Sequence, residues 1–413
     1  MNICKVWDSE YPWDVRVEKI SQALSARAHK VHIVARNRDH RAVLEELPEA
    51  IVHRLRPLPR ALAWMNAWSM FPAFFNPRWL RLIQATAKET GSDLILCRDV
   101  PLAPTAIWVG ARLGIPVVLD VAENYPAMIQ DIWTSGSHKW TDWLVRNPQV
   151  VSQVERWVTH RVDHVLVVVE ESRDRLISLG VHPDRITIVS NTPPLARVRE
   201  YDASRRVDGT LRLVYLGLLE RPRGVGLLLE AVASALARGL SVQLSIVGDG
   251  RDASEFENQA RALGLDDRAV RFHGFLPHRE ALRIVQQADV GVVPHWAGES
   301  WNTTVPNKLF DYMAAGLPVI VSDTKPCARI VREVRSGESF RDRDVEDLVR
   351  AISRLHDAAG RAAYGRAGRQ AVLTRYNWES DAKRLVTCLE RVAQAASSRS
   401  SGHSVARSQQ TSL

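Results

Sequence analysis

DVGVVPHWAGESWNTTVPNKLFDYMAAGLPVIVS, residues Asp289–Ser322, decides the fold of the second half of the chain. Its apolar start predicts a buried strand, Pro306 predicts the start of a short helix, and Gly316-Leu317-Pro318 predicts the end of that helix. A helix in this position points its free N–H groups and the positive end of its dipole at the carboxyl edge of the strand. The stretch therefore predicts a pyrophosphate site at that edge.

Two charged side chains lie on one face of this predicted helix. Lys308 is in the first turn, and Asp311 follows one turn later. Lys308 would neutralise phosphate, while the carboxylate of Asp311 would accept hydrogen bonds from two ribose hydroxyls. An exposed Lys308–Asp311 ion pair is the alternative, and the spacing alone favours it. The surrounding motif favours the binding site.

Short β-branched runs alternate with helical patterns along the whole chain, which indicates parallel sheets covered by helices on both faces. The predicted fold class is α/β, with two Rossmann-like domains whose sheets face a central cleft, because open sheets in tandem bind ligands at their carboxyl edges. The predicted strands are Met1–Val6, Lys30–Ala35, Asp93–Cys97, Val117–Val121, Val165–Val169 and Ile186–Val189, then Leu211–Leu216, Val242–Val247, Val270–His273, Val290–Val293 and Val319–Ser322.

A linker is predicted where Pro193 and Pro194 precede a charged run. The predicted boundaries are a first domain at 1–195, a linker at 196–209, a second domain at 210–375 and a C-terminal helix at 376–396. Residues 397–413 are rich in Ser, Gln and Arg with almost no apolar content, so they are predicted to be a disordered tail.

The composition is that of a soluble globular protein. The chain has 413 residues, 46% hydrophobic and 25% charged, which suits two domains and excludes collagen-like, coiled-coil and disordered chains. A net charge of +8 favours anionic partners. The four cysteines form no CxxC pair, and neither a secretory signal nor a membrane-spanning stretch is found. The predicted compartment is the cytoplasm, extending to the inner face of the cell membrane.

A second anion-binding element is predicted around Arg223 and Gly224. In LRLVYLGLLERPRGVGLLLEA, residues Leu211–Ala231, this pair stands at the end of a loop and at the start of a helix. Glycine lets the backbone approach an anion, and the helix N-terminus attracts it. A solvated loop arginine is the alternative.

Polar residues also follow strands in the first half. Asp120 and Glu123 come after a buried strand, where two carboxylates are costly unless they face a cleft, so they are predicted to orient an acceptor hydroxyl or take its proton. A helix cap is an equal alternative for Asp120. Asp14 is predicted to be a helix N-cap, and Arg16 to contact ligand.

An aromatic stripe lies between residues 61 and 79 of the first half. A core helix is the default interpretation, and an interfacial element on an anionic membrane is the alternative. The stripe consists of Trp64, Trp68, Phe71 and Phe75, flanked by Arg54, Arg56, Arg60, Arg78 and Arg81.

PNKLFDYMAAGLPVIVSD, residues 306–323, resembles the donor-binding segment of GT-B glycosyltransferases, in particular the retaining enzymes of family 4. The resemblance extends over most of the chain. In the second half it includes the Arg223–Gly224 segment, VQLSIVGDG and VRFHGFLP; in the first half it includes DVRVEKISQALSARAHKVHIVAR and VVLDVAENYP.

The resemblance implies transfer of a glycosyl group from a nucleoside diphosphate sugar to a hydroxyl acceptor, with retention, in polysaccharide or glycolipid synthesis. It implies a C-terminal helix that crosses back to the first, acceptor-side domain. The implied donor-binding residues are Arg223, Gly224, Lys308, Asp311, Phe275, Thr303 and Thr304; the catalytic pair is Asp120 and Glu123; Arg16 and Glu299 would line the acceptor site or cleft.

The resemblance implies no cofactor and no metal, with the nucleotide sugar as co-substrate. The thirteen histidines show no paired metal-ligand spacing, and His295 is expected to pack or to cap, with a place at the cleft border as the alternative. The expected acceptor is a saccharide or a lipid-linked molecule, with a peripheral contact to anionic membrane. Nucleic acid is not an expected partner, because only net charge favours it.

Two further functions remain open, and departures from the family pattern permit one of them, a non-catalytic protein. Thr303 stands where family members often carry an acid, and Ala122 stands where a histidine is frequent. A nucleotide-sugar epimerase on the same fold is one alternative. A non-catalytic protein that binds nucleotide sugars is the other.

Overall fold

The computed structural model describes residues 1–12, 14–57, 74–134, 147–199 and 209–410. The chain divides into two compact units, one formed by Met1–Val189 with Ala382–Leu413 and the other by Ser190–Asp381. The division after Val189 falls six residues before the boundary expected at 195.

The first unit is built on a largely parallel sheet. In the described residues its eight strands follow the order β3-β4-β2-β1-β5-β6-β7-β8, and only β3 and β4 pair antiparallel. The strands are β1 (Asn2–Val6), β2 (Lys30–Ala35), β3 (Leu44–Leu47), β4 (Ala50–Arg54), β5 (Leu94–Arg98), β6 (Val117–Val121), β7 (His164–Val167) and β8 (Ile186–Ile188). The helices are α1 (Val15–Ser25), α2 (Pro77–Glu89), α3 (Ala103–Leu113), α4 (Tyr125–Thr134), α5 (Pro148–Arg161) and α6 (Glu170–Ser178).

Helix α1 forms as its sequence predicts. Asp14 is the N-cap, and its Oδ1 accepts a hydrogen bond from the backbone N–H of Val17 at 2.8 Å. The predicted apolar positions Val17, Ile20 and Leu24 are all buried. The cap fixes where the chain turns back over the carboxyl edge of the sheet.

The second unit contains an entirely parallel sheet, with six described strands in the order β11-β10-β9-β12-β13-β14. This is the doubly wound order 3-2-1-4-5-6. The strands are β9 (Leu211–Leu216), β10 (Val242–Val247), β11 (Val270–Phe272), β12 (Val290–Val293), β13 (Val319–Ser322) and β14 (Gly337–Phe340). The helices are α7 (Leu195–Arg199), α8 (Val225–Ala237), α9 (Ala253–Ala262), α10 (His278–Gln287), α11 (Asn307–Ala314), α12 (Lys325–Val334), α13 (Val345–Arg354) and α14 (Ala358–Thr374).

Three strands are absent from the sequence prediction: β3, β4 and β14. β3 reads LEEL and β14 reads GESF, so neither carries the β-branched run that identifies a strand. Both lie at sheet edges, where partial exposure permits polar residues. The sheets are therefore wider than predicted.

The C-terminal helix α15 (Trp378–Gln410) continues beyond residue 397, into the stretch expected to be a disordered tail. The hydroxyls of Ser397 and Ser398 donate to the carbonyls of Ala393 and Gln394 one turn earlier. A helix that is already nucleated extends through polar residues at little cost. Within the described residues, no helix is both long enough and apolar enough to cross a bilayer.

Candidate active site

The candidate site lies in the second unit, at the carboxyl ends of β9 and β12. These strands are neighbours in the sheet. The chain continues from β9 to β10 on one side of the pair, and from β12 to β13 on the other side. Open parallel sheets bind ligands in the crevice outside such a reversal. The segments after β9 and β12 carry Arg223, Gly224 and Lys308, three residues predicted to bind the donor.

Gly224 brings the start of α8 against the exit of β12. Its φ is +74°, and a Cβ at this position would lie 1.7 Å from the carbonyl oxygen of Pro294. The backbone N–H of Trp296 donates to the carbonyl of Pro222 at 2.9 Å and ties the same two loops together. No side chain of a described residue caps α8, so its first N–H groups are available to an anion.

Lys308 lies in the first turn of α11 and is buried. Its Nζ is 3.8 Å from the centroid of the Tyr215 ring and has no hydrogen-bond partner among the described residues. Burial, and secondly the charge of Arg223, lower the pKa of Lys308 well below its ordinary value. Gly217 leaves the room for this amine, because a Cβ there would lie 2.8 Å from Nζ. An anion beside Nζ would supply the missing partner.

Arg223 supplies a second cation next to Gly224. Its guanidinium lies 5.4 Å from the centroid of the Trp301 ring, and its Nε is 3.3 Å from the carboxylate of Glu220. The side chain is partly exposed, so it can reorient toward a ligand. The structure therefore brings Arg223 and Lys308 to the same reversal of the sheet, as predicted for a phosphate site.

Asp311 is buried one turn after Lys308 and has a partner that sequence reasoning missed. Arg197, in α7, donates from Nη1 to Oδ1 of Asp311 at 3.0 Å. The alternative Lys308–Asp311 ion pair is not among the ion pairs of the described residues. The only sequence signal for Arg197 was its own charge within the predicted linker region.

A pocket of about 480 Å³ adjoins these residues at the carboxyl ends of β9 and β10. Phe275 lines it with 81% of its surface exposed, which is unusual for so large an apolar side chain. The mainly apolar lining suits a flat ring. Its other lining residues are Leu216, Gly217, Leu218, Val247, Gly248, Asp249, Gly250 and Leu276.

The remaining donor candidates lie in the loop between β12 and α11. Thr303 is buried, and its hydroxyl donates to the carbonyls of Glu299 and Ser300 at 2.9 and 3.3 Å. Thr304 is half-buried, and the side chain of Glu299 is exposed. The hydroxyl of Thr303 therefore shapes the loop, and Glu299 contributes an exposed side chain to it.

In the first unit, two predicted site residues are partners of each other. The guanidinium of Arg16 donates to both carboxylate oxygens of Asp120, with Nη2 at 2.6 Å from Oδ1, and its Nη1 donates to the carbonyl of Val189 at 2.9 Å. Burial alone would raise the pKa of Asp120, but the charge and hydrogen bonds of Arg16 hold it below its ordinary value. Asp120 is thus not a helix cap, and both side chains serve an internal ion pair.

Glu123, the other predicted catalytic carboxylate, is exposed. Asp99, which sequence reasoning missed, accepts from the backbone N–H of Ala122 at 3.2 Å, and burial raises the pKa of Asp99 to about 6. Lys5 is buried in β1, its Nζ has no hydrogen-bond partner among the described residues, and burial lowers the pKa of Lys5 to about 7. A charged residue inside or directly after an apolar strand was the available signal for both.

The aromatic stripe falls mostly outside the described residues, which omit 58–73 and so Trp64, Trp68 and Phe71. Phe75 is 41% exposed and packs edge-on against Trp108. Arg54 does not flank a membrane surface: it is fully buried and donates to Glu45 and to the carbonyl of Tyr11.

Comparison with known proteins agrees with this geometry. The family described as Glycosyltransferase Family 4 matches residues 14–197, and the family described as Glycosyl transferases group 1 matches residues 210–358. A phosphatidyl-myo-inositol mannosyltransferase of Mycobacterium leprae is 32% identical over 385 residues, covering 92% of this chain and 93% of the relative. A glycogen synthase of Mycobacterium tuberculosis is 27% identical over 378 residues, covering 88% of this chain and 87% of the relative.

The same fold occurs among solved structures. HepE of Anabaena, solved in complex with UDP, matches 95% of this chain and 100% of its own with a TM-score of 0.68 and 16% identity. Two parallel-sheet Rossmann-like units, two matched family regions and a relative of nearly equal length agree with one another. The chain is therefore a glycosyltransferase of the GT-B fold and belongs to family 4.

Proposed function

We propose that the enzyme transfers a glycosyl group from a nucleoside diphosphate sugar to a hydroxyl acceptor with retention, in the synthesis of a polysaccharide or glycolipid. The proposal is carried by the buried amine of Lys308, which stands at the reversal of the second sheet with no hydrogen-bond partner in the described part of the chain. A buried amine without a partner is unfavourable unless a ligand completes the site, and an anionic ligand would stabilise its protonated form.

The diphosphate is bound by charge and by backbone. Lys308 lies beneath it, Arg223 stands at its side, and the N-terminal N–H groups of α8 and α11 point toward it. The proposal needs no resident metal, because these groups supply the positive charge that a diphosphate requires.

The nucleoside extends from the phosphates along the edge of β9 and β10. Asp311 accepts hydrogen bonds from the ribose hydroxyls, and the base lies in the pocket lined by Phe275. The UDP complex of HepE supports a nucleotide ligand for this fold. It does not select the base for this chain.

Catalysis in this proposal is electrostatic. The bond between the anomeric carbon and the diphosphate oxygen breaks, and Arg223, Lys308 and the helix N-termini stabilise the charge that develops on the leaving group. The sugar gains oxocarbenium character, and the acceptor oxygen bonds to the same face of the anomeric carbon. The acceptor proton goes to the departing phosphate oxygen. No protein base is required, which agrees with Asp120 being held in its ion pair with Arg16.

The acceptor in this proposal is a saccharide or a lipid-linked molecule. One relative is a glycogen synthase and another is a phosphatidyl-myo-inositol mannosyltransferase. Helices α3 and α5 pack together, and each exposes a tryptophan. Trp108 of α3 stacks on Arg112 at 5.3 Å, and Trp157 of α5 stacks on Arg161 at 4.4 Å. Exposed tryptophans with arginines suit the interface of an anionic membrane.

The donor arm of the proposal is tested with a panel of nucleotide sugars, first by thermal shift and then by mass spectrometry of products on glycan and lipid acceptors. Lys308→Met should weaken nucleoside diphosphate binding by about 1.5–3 kcal/mol, the range for hydrogen bonds to charged groups. Lys325→Met, which removes an exposed lysine of the same unit, is the matched control and should leave binding unchanged. Donor binding without turnover on any acceptor would support the non-catalytic alternative, and epimerisation without acceptor would support the epimerase.

The membrane arm uses vesicles containing anionic phosphatidylglycerol. Trp108→Ser combined with Trp157→Ser should reduce sedimentation with the vesicles at low salt while the variant remains folded by circular dichroism. Leu263→Ser, at an exposed apolar position of the other unit, is the control. Equal sedimentation of parent and double variant would remove membrane contact at this surface from the proposal.

A further inference from the structure

His295 is a buried histidine to which the family matches assign no role. It follows β12 closely, and only 1% of its surface is exposed. Neither Nδ1 nor Nε2 has a hydrogen-bond partner among the described residues. A packing or capping histidine, the role expected from the sequence, would have at least one of these bonds.

The backbone around His295 is fixed on three sides. Pro294, just before it, touches Gly224 at the start of α8, and Trp296, just after it, donates to the carbonyl of Pro222. The hydroxyl of Ser322, at the end of β13, donates to the carbonyl of His295. These contacts hold the residue between the N-terminus of α8 and the segment that leads into α11.

The imidazole ring stands among the groups of the phosphate site. Its centroid lies 4.0 Å from that of Trp301, whose ring also faces the guanidinium of Arg223. Burial first, and then the charges of Lys308 and Arg223, lower the pKa of His295 well below its ordinary value. The ring is therefore neutral at physiological pH, with one nitrogen that donates and one that accepts.

We propose that His295 is a third phosphate-binding side chain of the donor site, donating a hydrogen bond from an imidazole N–H to an oxygen of the donor diphosphate. The proposal rests on the donor site described under the proposed function and adds a residue to it. A neutral donor suits this position because two cations already lie close by, and a third buried cation would repel both.

The orphaned ring nitrogens also predict a particular stability. In the ligand-free protein an imidazole with no hydrogen bonds is less favourable in this interior than an apolar ring of similar size. His295→Phe should therefore hold or raise the melting temperature of the ligand-free protein while it weakens binding of the diphosphate. A histidine retained only for packing would show the opposite pattern, because its replacement would lower stability and leave binding intact.

The test measures the binding of inorganic pyrophosphate, UDP and GDP to the full-length protein by isothermal titration calorimetry. His295→Phe should weaken pyrophosphate binding, and binding of whichever nucleotide the parent prefers, by about fivefold or more, with the free nucleoside unaffected. His295→Gln keeps an N–H donor, so its affinity for pyrophosphate should stay within about threefold of the parent's. The two variants thus compare a hydrogen bond that is kept with one that is lost. His356→Phe is the matched control, because His356, beyond α13 in the same unit, has a buried Nε2 with no hydrogen-bond partner among the described residues.

Each outcome of this test is decisive. The assignment of His295 is overturned if His295→Phe binds pyrophosphate as the parent does. It is also overturned if His295→Phe or His295→Gln lowers the melting temperature without changing binding. The donor site remains in place in both cases. If the parent binds none of the three probes, the proposed function fails and His295 fails with it. Loss confined to His295→Phe, with His356→Phe like the parent, supports the proposal.

Discussion

Arg197 and Asp311 form an ion pair within the second unit, with Nη1 of the arginine 3.0 Å from Oδ1 of the carboxylate. Asp311 is the carboxylate proposed to bind the ribose, so one of its oxygens already has a cationic partner in the absence of nucleotide. Asp311 is buried, but the side chain of Arg197 is 24% exposed. A ribose can therefore share Asp311 with Arg197, or the guanidinium can turn toward solvent.

Asp311→Asn should weaken nucleoside diphosphate binding by about tenfold or more, because the amide keeps the shape and loses the charged acceptor. The measurement compares parent and variant with ordinary and 2′,3′-dideoxy nucleotides. The dideoxy ligand should erase the difference between the two proteins. If the variant still binds the dideoxy ligand more weakly, Asp311 supports the helix and the ribose role is wrong.

Arg197→Met should strengthen nucleotide binding by up to about fivefold, since both carboxylate oxygens of Asp311 become available and one further hydrogen bond is worth about 1 kcal/mol. Titration calorimetry with the same nucleotide measures the gain. Arg369→Met, which removes another arginine that contacts the α7 segment, is the control. Weaker binding in Arg197→Met would show that the guanidinium itself contacts the ligand.

Gly224→Ala should destabilise the protein by more than about 4 kcal/mol, because the new methyl group would meet the Pro294 carbonyl and the backbone has no slack there. Gly239→Ala separates this clash from backbone strain. Gly239 also has a positive φ, +79°, but nothing lies within 4 Å of the position that a Cβ would take there. Its replacement should therefore cost only the penalty of a left-handed residue, about 1–2 kcal/mol. Urea denaturation of both variants measures the difference, and equal costs would contradict the close approach.

Phe275→Ala should leave stability unchanged, because the side chain is already in solvent, and should weaken binding of the nucleoside by about 1–3 kcal/mol if the base stacks on it. Pyrophosphate, which has no base, should bind the variant as it binds the parent. Leu263→Ala removes an exposed apolar side chain outside the pocket and is the control. Equal loss for pyrophosphate and nucleotide would place Phe275 in the phosphate site instead.

Local patterns predicted the second sheet well. β9, β10, β12 and β13 begin and end at the predicted residues, because each is a mainly apolar, mainly buried stretch bounded by turn residues. The placement of Arg223, Gly224 and Lys308 at helix starts follows equally from local signals, since proline and glycine mark those starts.

The pairings inside the sites were not predictable in the same way. Arg16 lies 104 residues from Asp120, and Arg197 lies 114 residues from Asp311. Both contacts depend on how strands and helices assemble, and a single sequence contains no signal that joins such distant positions. The orphaned nitrogens of His295 are a property of the packed interior and were equally invisible.

The buried lysine of the first unit gives the last prediction, which concerns pH. Burial lowers the pKa of Lys5 from 10.5 to about 7, so between these values unfolding takes up a proton. The free energy of unfolding therefore rises with pH in this window, by at most about 1.4 kcal/mol per pH unit from this group. Below pH 7 the burial of a protonated Lys5 destabilises the folded protein by its full amount. This destabilisation decreases as the pH rises toward 10.5.

Lys5→Met should consequently be more stable than the parent by about 2–4 kcal/mol at pH 6, and this advantage should shrink by pH 10. Urea denaturation at pH 6, 8 and 10 measures it, with the exposed Lys30→Met as control. A difference that stays constant with pH would mean that Lys5 keeps its proton in the folded protein, with Asp120 as its effective counter-charge.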